Sequence, residues 1–206
     1  PSWKSDAKYH ARALDWVIAQ NKQLPAGKKI RVVSVSSAPS GPGSPVKKNN
    51  KKWDAAFARA EKAGLLVLDC EDNRGFIGPC TYDPADPENP AKCKKGLPNL
   101  PSYDGPYQLQ APASGRTVAE DTEYVRFSYS YWGQGGRSWS VPYVAGVAAL
   151  GWQADPELTA AQVKDLLLRS ATGGNGGVID PPAFIELVRR GAAQRAAGRA
   201  AESAKQ

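Results

Sequence analysis

The 206-residue sequence contains no methionine, a single histidine and only three cysteines. A chain without an initiating methionine is expected to begin at an end made by processing, cloning or fragmentation. Long apolar runs are also missing, since no stretch approaches the roughly 20 residues that cross a bilayer. No amino-terminal signal pattern is visible. Hydrophobic residues make up 41% and charged residues 23% of the chain, which predicts one globular domain with a core and no membrane span.

The net charge of +7 invites a nucleic-acid interpretation, but its distribution favours another. One group of basic residues lies in the alanine-rich tail, residues 191–206, and another lies at 47–52. Neither group is interleaved with the aromatic residues on which bases stack. We therefore expect charged surfaces in contact with solvent and no nucleic-acid partner.

The three cysteines leave at least one thiol free or paired outside this chain. Cys80 and Cys93 flank a segment rich in proline and aspartate, and a disulfide that closes this segment is plausible. Their spacing does not resemble a zinc site, whose ligands come in close pairs.

The first seventy residues alternate between helix and strand patterns. A helix is predicted from about Ala7 to Asn21, a β-branched strand at 30–36, and a continuous apolar strand at 65–68. Between the strands, an apolar stripe at helical spacing predicts a second helix that Gly64 ends; it consists of Trp53, Ala56, Phe57 and Ala60. Strands joined by helix-length connections indicate an α/β fold with a parallel sheet.

The remainder is less regular. Residues 72–104 read as irregular, and short strands are predicted at 107–110 and 124–130. A helix of small residues is predicted at about 138–153, and a capping box of Thr159 and Gln162 begins another. A last helix is predicted at 179–190. We expect one domain over residues 1–190, followed by a basic tail that is helix-prone and frayed.

The most informative stretch is G-R-S-W-S-V-P-Y-V-A-G at 136–146. Ser138 stands at the predicted start of a helix, directly after several glycines that allow a sharp backbone approach. A helix amino terminus presents unpaired N–H groups and positive potential, which favour an oxyanion beside Ser138. Taken alone, the pattern fits a serine that caps a buried helix better than it fits a nucleophile.

This stretch resembles the nucleophile motif of the subtilase family, G-T-S-M-A-x-P-x-V-A-G. Ser138, Pro142 and the V-A-G that follows match it, whereas Arg137 and Trp139 replace the usual threonine and methionine. A second segment, L-L-V-L-D-C-E-D-N-R-G, is similar to the strand that ends in A-A-G-N-x-G. The resemblance places Asn73 on the oxyanion-hole asparagine.

A third segment, R-V-V-S-V-S-S-A-P-S-G, resembles the substrate-binding strand and loop of the family. Ser36, Ser37 and Ala38 would then line the primary specificity pocket and pair with the substrate backbone. The resemblance implies a serine endopeptidase that forms an acyl-enzyme on Ser138 with no cofactor. It also favours a peptide or protein substrate and a secreted or extracytoplasmic location.

The triad of the family also needs an aspartate and a histidine upstream, and no H-G-T-H element is present. His10 lies in the predicted helix before the substrate strand, where we expect an ordinary helix residue rather than the general base. The predicted fold is therefore a subtilisin-like parallel sheet flanked by helices, without its amino-terminal part. Either another portion carries the aspartate and histidine, or the chain is a catalytically inactive pseudoprotease or binding subunit.

Two acidic groups have open interpretations. The first group lies near the predicted specificity pocket and consists of Asp69, Glu71 and Asp72. These acidic side chains either favour substrates with lysine or arginine beside the scissile bond, or they face solvent or pair with Arg74. The second group lies in the proline-rich segment and consists of Asp83, Asp86 and Glu88. Subtilase loops often bind calcium, so these side chains are candidate calcium ligands, although their spacing matches no defined calcium motif.

Overall fold

A computed structural model describes residues 6–71, 74–86, 89–97, 105–120, 128–174 and 176–203. The α-helices are α1 (Lys8–Gln23), α2 (Asn50–Lys62), α3 (Arg137–Ala154), α4 (Ala160–Ser170) and α5 (Pro181–Ser203). Short 3-10 turns occur at Ala26–Lys28 and Pro90–Lys92. None of the helices in the described part of the chain is long and apolar enough to span a membrane.

In the described part of the chain, the strands form three small sheets. They are β1 (Val32–Val35), β2 (Leu66–Asp69), β3 (Ile77–Thr81), β4 (Lys94–Lys95), β5 (Leu109–Ser114), β6 (Arg116–Glu120), β7 (Ser128–Trp132) and β8 (Gly177–Val178). β1 and β2 are parallel, as are β3 with β5 and β5 with β8. β4 and the β6–β7 hairpin add antiparallel pairs. The predicted α/β fold with parallel strands and flanking helices is confirmed.

The first half of the chain follows its sequence pattern closely. The apolar stripe of α2 is buried, from Trp53 to Ala60, and packs on α1 in a cluster that also contains Val67. α2 ends before Gly64, which has a φ of 82°, a conformation that favours glycine. β2 is buried along its whole length, as a continuous apolar run in a parallel pair requires.

α3 forms the centre of the second and larger core. Its buried side chains include Val141, Val144 and Ala148, which pack with residues of β2, β5, α4 and α5. The helix is apolar on most faces, so its burial supplies much of the driving force for the second half of the chain. The sequence prediction of a small-residue helix here is confirmed, as is the capping box of Thr159 and Gln162 at the start of α4.

Two stretches in the middle of the chain differ from the prediction. The stretch at 72–104 is not wholly irregular, because β3 runs through Gly78 and Pro79; parallel pairing with β5 outweighs the low strand propensity of these residues. The strand predicted at 107–110 begins at Leu109 and extends to Ser114. Of the strand predicted at 124–130, residues 124–127 lie outside the described residues.

The tail continues α5 to Ser203. Arg195 pairs with the buried Asp155, and Arg199 lies 2.9 Å from the carboxylate of Glu157. These ion pairs tie the basic tail to the turn between α3 and α4, which explains why the helix continues beyond residue 190.

His10 lies half-buried in α1, with its ring edge on Trp53 at a centroid distance of 6.1 Å. Burial lowers the pKa of His10 below its usual value, because a charged imidazole loses hydration there. These contacts fit the predicted role of an ordinary helix residue.

The depressed pKa of His10 makes stability depend on pH. The folded state binds a proton on His10 less readily than the unfolded state does. The stability that neutral His10 contributes is therefore complete above the unfolded pKa of 6.5 and is lost as pH falls below that value towards the lower pKa of the folded state. We expect His10→Phe, which keeps a ring against Trp53, to remove this loss. Urea unfolding of both proteins between about pH 7.5 and 5 measures it; parallel stability curves would contradict the assignment.

Candidate functional site

The sharp turn that begins α3 depends on a close backbone contact. Gly135 has a φ of 71°, and a Cβ atom there would lie 1.8 Å from the carbonyl oxygen of Ala113 in β5. Gly136 is extended, with a φ of −179°, and its N–H donates to the same carbonyl at 2.9 Å. Only glycine fits at Gly135, and the contact fixes where the first turn of α3 sits relative to β5.

Ser138 is exposed in that first turn, and Ser36 lies beside it at the end of β1. The Ser36 hydroxyl donates to the carbonyl of Ser138 at 2.8 Å, while the Ser138 hydroxyl lies 3.5 Å from the carbonyl of Ser36. The second distance is at the limit of a hydrogen bond, so the Ser138 hydroxyl is weakly held. The structure thus brings together two residues that the sequence predicted for one site.

Pro142 explains why this carbonyl is available. In an α-helix the carbonyl of Ser138 would accept from the N–H of residue 142, which proline does not have. The Ser36 hydroxyl supplies the replacement donor from another strand. Because Pro142 has no N–H, the carbonyl of Ser138 accepts from Ser36 instead, and this bond connects α3 to the end of β1 beside the candidate nucleophile.

Arg137 is a residue that the sequence reasoning noticed only as a departure from the usual threonine. It is buried, 5% exposed, and its guanidinium donates to the carbonyl of Cys70 at 2.8 Å and to the hydroxyl of Tyr107. The guanidinium also lies over the Tyr107 ring at 4.9 Å. Arg137 thus connects the start of α3 to the segment that leaves β2.

The same segment contacts the predicted specificity loop. The N–H of Cys70 donates to the carbonyl of Ser37 at 2.9 Å, and the carbonyl of Ala38 accepts from the Ser44 hydroxyl at 2.5 Å. Ser37 and Ala38 are half-buried. Asn73, predicted to complete the oxyanion hole, lies outside the described residues, so its role stays a prediction.

Two sources of positive charge lie in the turn that contains Ser138. The amino terminus of α3 carries a partial positive charge, its first turn contains no acidic residue, and Arg137 adds a formal charge. Such a site stabilises an anion that forms at Ser138, as the tetrahedral intermediate of acyl transfer would.

The acidic residues near the pocket are engaged with Arg74. Its side chain lies 3.2 Å from Asp69, 2.8 Å from Glu71 and 3.2 Å from Asp54. Burial raises the pKa of the Glu71 carboxyl, while a hydrogen bond with Ser40 and the charge of Arg74 oppose the rise. Of the two interpretations of these acids, the described residues fit pairing with Arg74; Asp72 lies outside them.

In the proline-rich segment, the acidic side chains that the structure describes have partners within the chain, and the calcium site stays a prediction. The Asp86 carboxylate is paired with the Lys92 ammonium at 2.9 Å, and Asp83 accepts from the N–H of Ala85. No group of three potential metal ligands occurs among the described residues; Glu88 lies outside them. A carboxylate already neutralised by lysine is a poor ligand for a hard cation.

Comparison with known proteins gives a family match and a shared fold. Residues 101–184 match the subtilase family. No curated protein matches the chain in sequence.

Several solved structures share the architecture at low sequence identity. A protease from Pseudoalteromonas arctica matches with a TM-score of 0.55 and 19% identity, covering 87% of this chain and 59% of its own. The subtilase cytotoxin SubAB matches with a TM-score of 0.60 and 15% identity, and the match covers 87% of this chain and 64% of the cytotoxin chain. Fervidolysin from Fervidobacterium pennivorans, a keratinolytic enzyme, matches with 0.58 and 15%, covering 87% and 29%. The chain spans less than two thirds of each of these three structures.

A substitution at Gly135 tests the turn that positions Ser138. We expect Gly135→Ala to destabilise the fold by about 3 kcal/mol or more, through a strained backbone and overlap with Ala113. The matched control is Gly136→Ala, where a Cβ meets nothing within 4 Å and the cost should stay below about 1 kcal/mol. Urea unfolding compares them, and equal losses would refute this account of the turn.

A double-mutant cycle tests the link between Ser36 and α3. Ser36→Ala should cost about 1 kcal/mol because the carbonyl of Ser138 loses its donor. In a Pro142→Ala background the helix supplies a backbone N–H, so the same substitution should cost roughly nothing. The free energies of unfolding of the four proteins give the coupling; additive effects would mean that the proline does not create the need for Ser36.

Proposed function

We propose that this chain, which has the subtilase fold and matches the subtilase family over residues 101–184, is the part of a serine endopeptidase that carries the nucleophile, Ser138. The observation that carries the proposal is the placement of Ser138. It is exposed at the positive end of α3, its hydroxyl is weakly held, and it faces the strand predicted to bind substrate.

In the proposed mechanism, the Ser138 hydroxyl attacks the carbonyl carbon of a peptide bond while a histidine accepts its proton. The oxyanion that forms is stabilised by the N–H of Ser138 and by the side chain of Asn73. Collapse of this intermediate releases the amine and leaves an acyl group on Ser138, which water then hydrolyses. Arg137 adds positive potential from the buried side.

We propose that the aspartate and histidine come from a portion outside this chain. Two features, strand edges without a partner and an exposed stripe on α3, support a site where that portion would bind. Within the described residues, β1 and β2 pair only with each other, so both edges of this parallel sheet lack a partner strand, whereas parallel strands are usually covered and paired. In addition, α3 exposes one stripe although a helix so apolar is expected to be buried all round; the stripe consists of Pro142, Gly146, Ala149, Leu150 and Gln153.

A second candidate function is that of a catalytically inactive binding subunit. The sequence D-C-E-D replaces the small residues that subtilases carry before the oxyanion asparagine. In the structure this replacement builds the buried Asp69–Glu71–Arg74 cluster. Such a cluster holds the segment in place and can serve a scaffold that no longer catalyses.

The substrate class that follows from the proposal is a peptide or protein, with no nucleic acid or membrane partner. A secreted or extracytoplasmic location rests on the family resemblance and stays a prediction.

Substitutions in the parent protein, with the portion that carries the aspartate and histidine present, test the proposal. Asn73→Ala should lower kcat for a peptide substrate by about 100- to 1000-fold with little change in KM, because the asparagine acts on the transition state. Ser138→Ala should remove the covalent pathway, while Ser170→Ala, at the end of α4, should retain normal rates. Undiminished hydrolysis by the Ser138→Ala protein would refute the proposal; inactivity of the unmodified protein would favour the binding subunit.

A further inference from the structure

Cys80 and Cys93 meet on one face of an antiparallel ladder. Cys80 lies in β3 opposite Lys95 of β4, and Cys93 lies two residues before Lys95. Cys93 precedes β4 with an extended backbone, and residues two apart in an extended segment share a face, so the two cysteines are diagonal neighbours. The proximity of each thiol shifts the pKa of the other.

The two thiols differ in environment. Cys80 is completely buried, whereas Cys93 is half-buried at the end of the short turn Pro90–Lys92. The hydrogen bond from the Cys80 thiol lowers the pKa of Cys93. The same contact, together with burial, raises the pKa of Cys80 above its usual range. The greater exposure of Cys93 and the direction of these pKa shifts both favour it as the thiol that forms a thiolate more readily.

We propose that Cys80 and Cys93 are a disulfide-forming pair in which Cys93 reacts first and Cys80 closes the bond. The oxidant is a low-molecular-weight disulfide such as glutathione disulfide. The Cys93 thiolate attacks one sulfur of the oxidant and displaces the other as a thiolate, which leaves a mixed disulfide on Cys93.

The second step is intramolecular. Cys80 loses its proton to the medium and attacks the Sγ atom of Cys93, which expels the second small thiolate. In total, two protein thiols are oxidised to one disulfide and one molecule of glutathione disulfide is reduced to two of glutathione. Because Cys93 lies diagonally opposite Cys80, directly before β4, this step needs little movement of the backbone.

The bond would close the segment that packs on α3 next to the candidate site. Tyr82 follows β3, and its hydroxyl lies 3.2 Å from the hydroxyl of Tyr143 in α3. The adjacent Thr81 accepts a hydrogen bond from the Ser114 hydroxyl of β5 at 2.8 Å. Closing a loop of this length restricts the unfolded chain, and we expect the oxidised protein to melt roughly 5–10 °C higher than the reduced protein.

Cys70 provides an internal comparison. It follows β2 in a different sheet, and its thiol donates to the carbonyl of Val35 at 3.9 Å. It does not share the ladder of β3 and β4, and we expect it to remain a thiol when the other two are oxidised.

The experiment treats the reduced protein with glutathione disulfide and follows the products by intact mass and peptide mapping. We expect the number of titratable thiols to fall from three to one, with a Cys80–Cys93 linked peptide. Cys80→Ser should accumulate a glutathione adduct on Cys93. In Cys93→Ser, the buried Cys80 should react at least ~10-fold more slowly than Cys93 does in Cys80→Ser.

Three results would overturn the proposal: a linkage that involves Cys70, three thiols that persist in the unmodified protein, or an adduct that forms first on Cys80. The unmodified protein gives the linkage and the melting shift without any substitution, so the proposal does not depend on how well the serine variants fold.

Discussion

The first turn of α3 is held against three other segments by hydrogen bonds that involve backbone carbonyl groups, and the candidate site depends on that attachment. Gly136 and Ser140 donate to β5, at Ala113 and Ala111. Arg137 donates to the exit of β2, and the hydroxyl of Ser36 in turn donates to α3. Three of these four donors are side chains. Together the four bonds hold the turn that contains Ser138 against β5, the exit of β2 and the end of β1.

This attachment also determines the electrostatics. A helix begins with unpaired N–H groups and positive potential, and Arg137 places a guanidinium on the buried side of the same turn. Arg74 pairs with the carboxylates of Asp69 and Glu71, and its single positive charge offsets one of their two negative charges. An anion at Ser138 would meet a prearranged positive site, and prearrangement is what makes such stabilisation effective in catalysis.

How much of this arrangement the sequence predicts depends on whether each interaction is local or joins residues that are far apart along the chain. The helix at α3, the stripe of α2 and the capping box of α4 are local patterns, and the structure confirms all three. β3 escaped prediction because its glycine and proline are poor strand formers, and most of its pairing is with the distant β5. Likewise, the bond from Ser36 to Ser138 joins residues 102 positions apart, so no local pattern reveals it. Arg137 was visible as a departure from the subtilase motif, but its partners were not.

The central claim is that Ser138 is a nucleophile which a separate aspartate and histidine activate. Labelling of the protein as purified from its source with a fluorophosphonate probe, followed by peptide mapping, tests it most directly. We predict modification at Ser138, because the probe reacts with a serine that is activated by a neighbouring base. Absence of labelling at Ser138 in a folded sample that contains the portion with the aspartate and histidine would contradict the claim and would support a binding subunit instead.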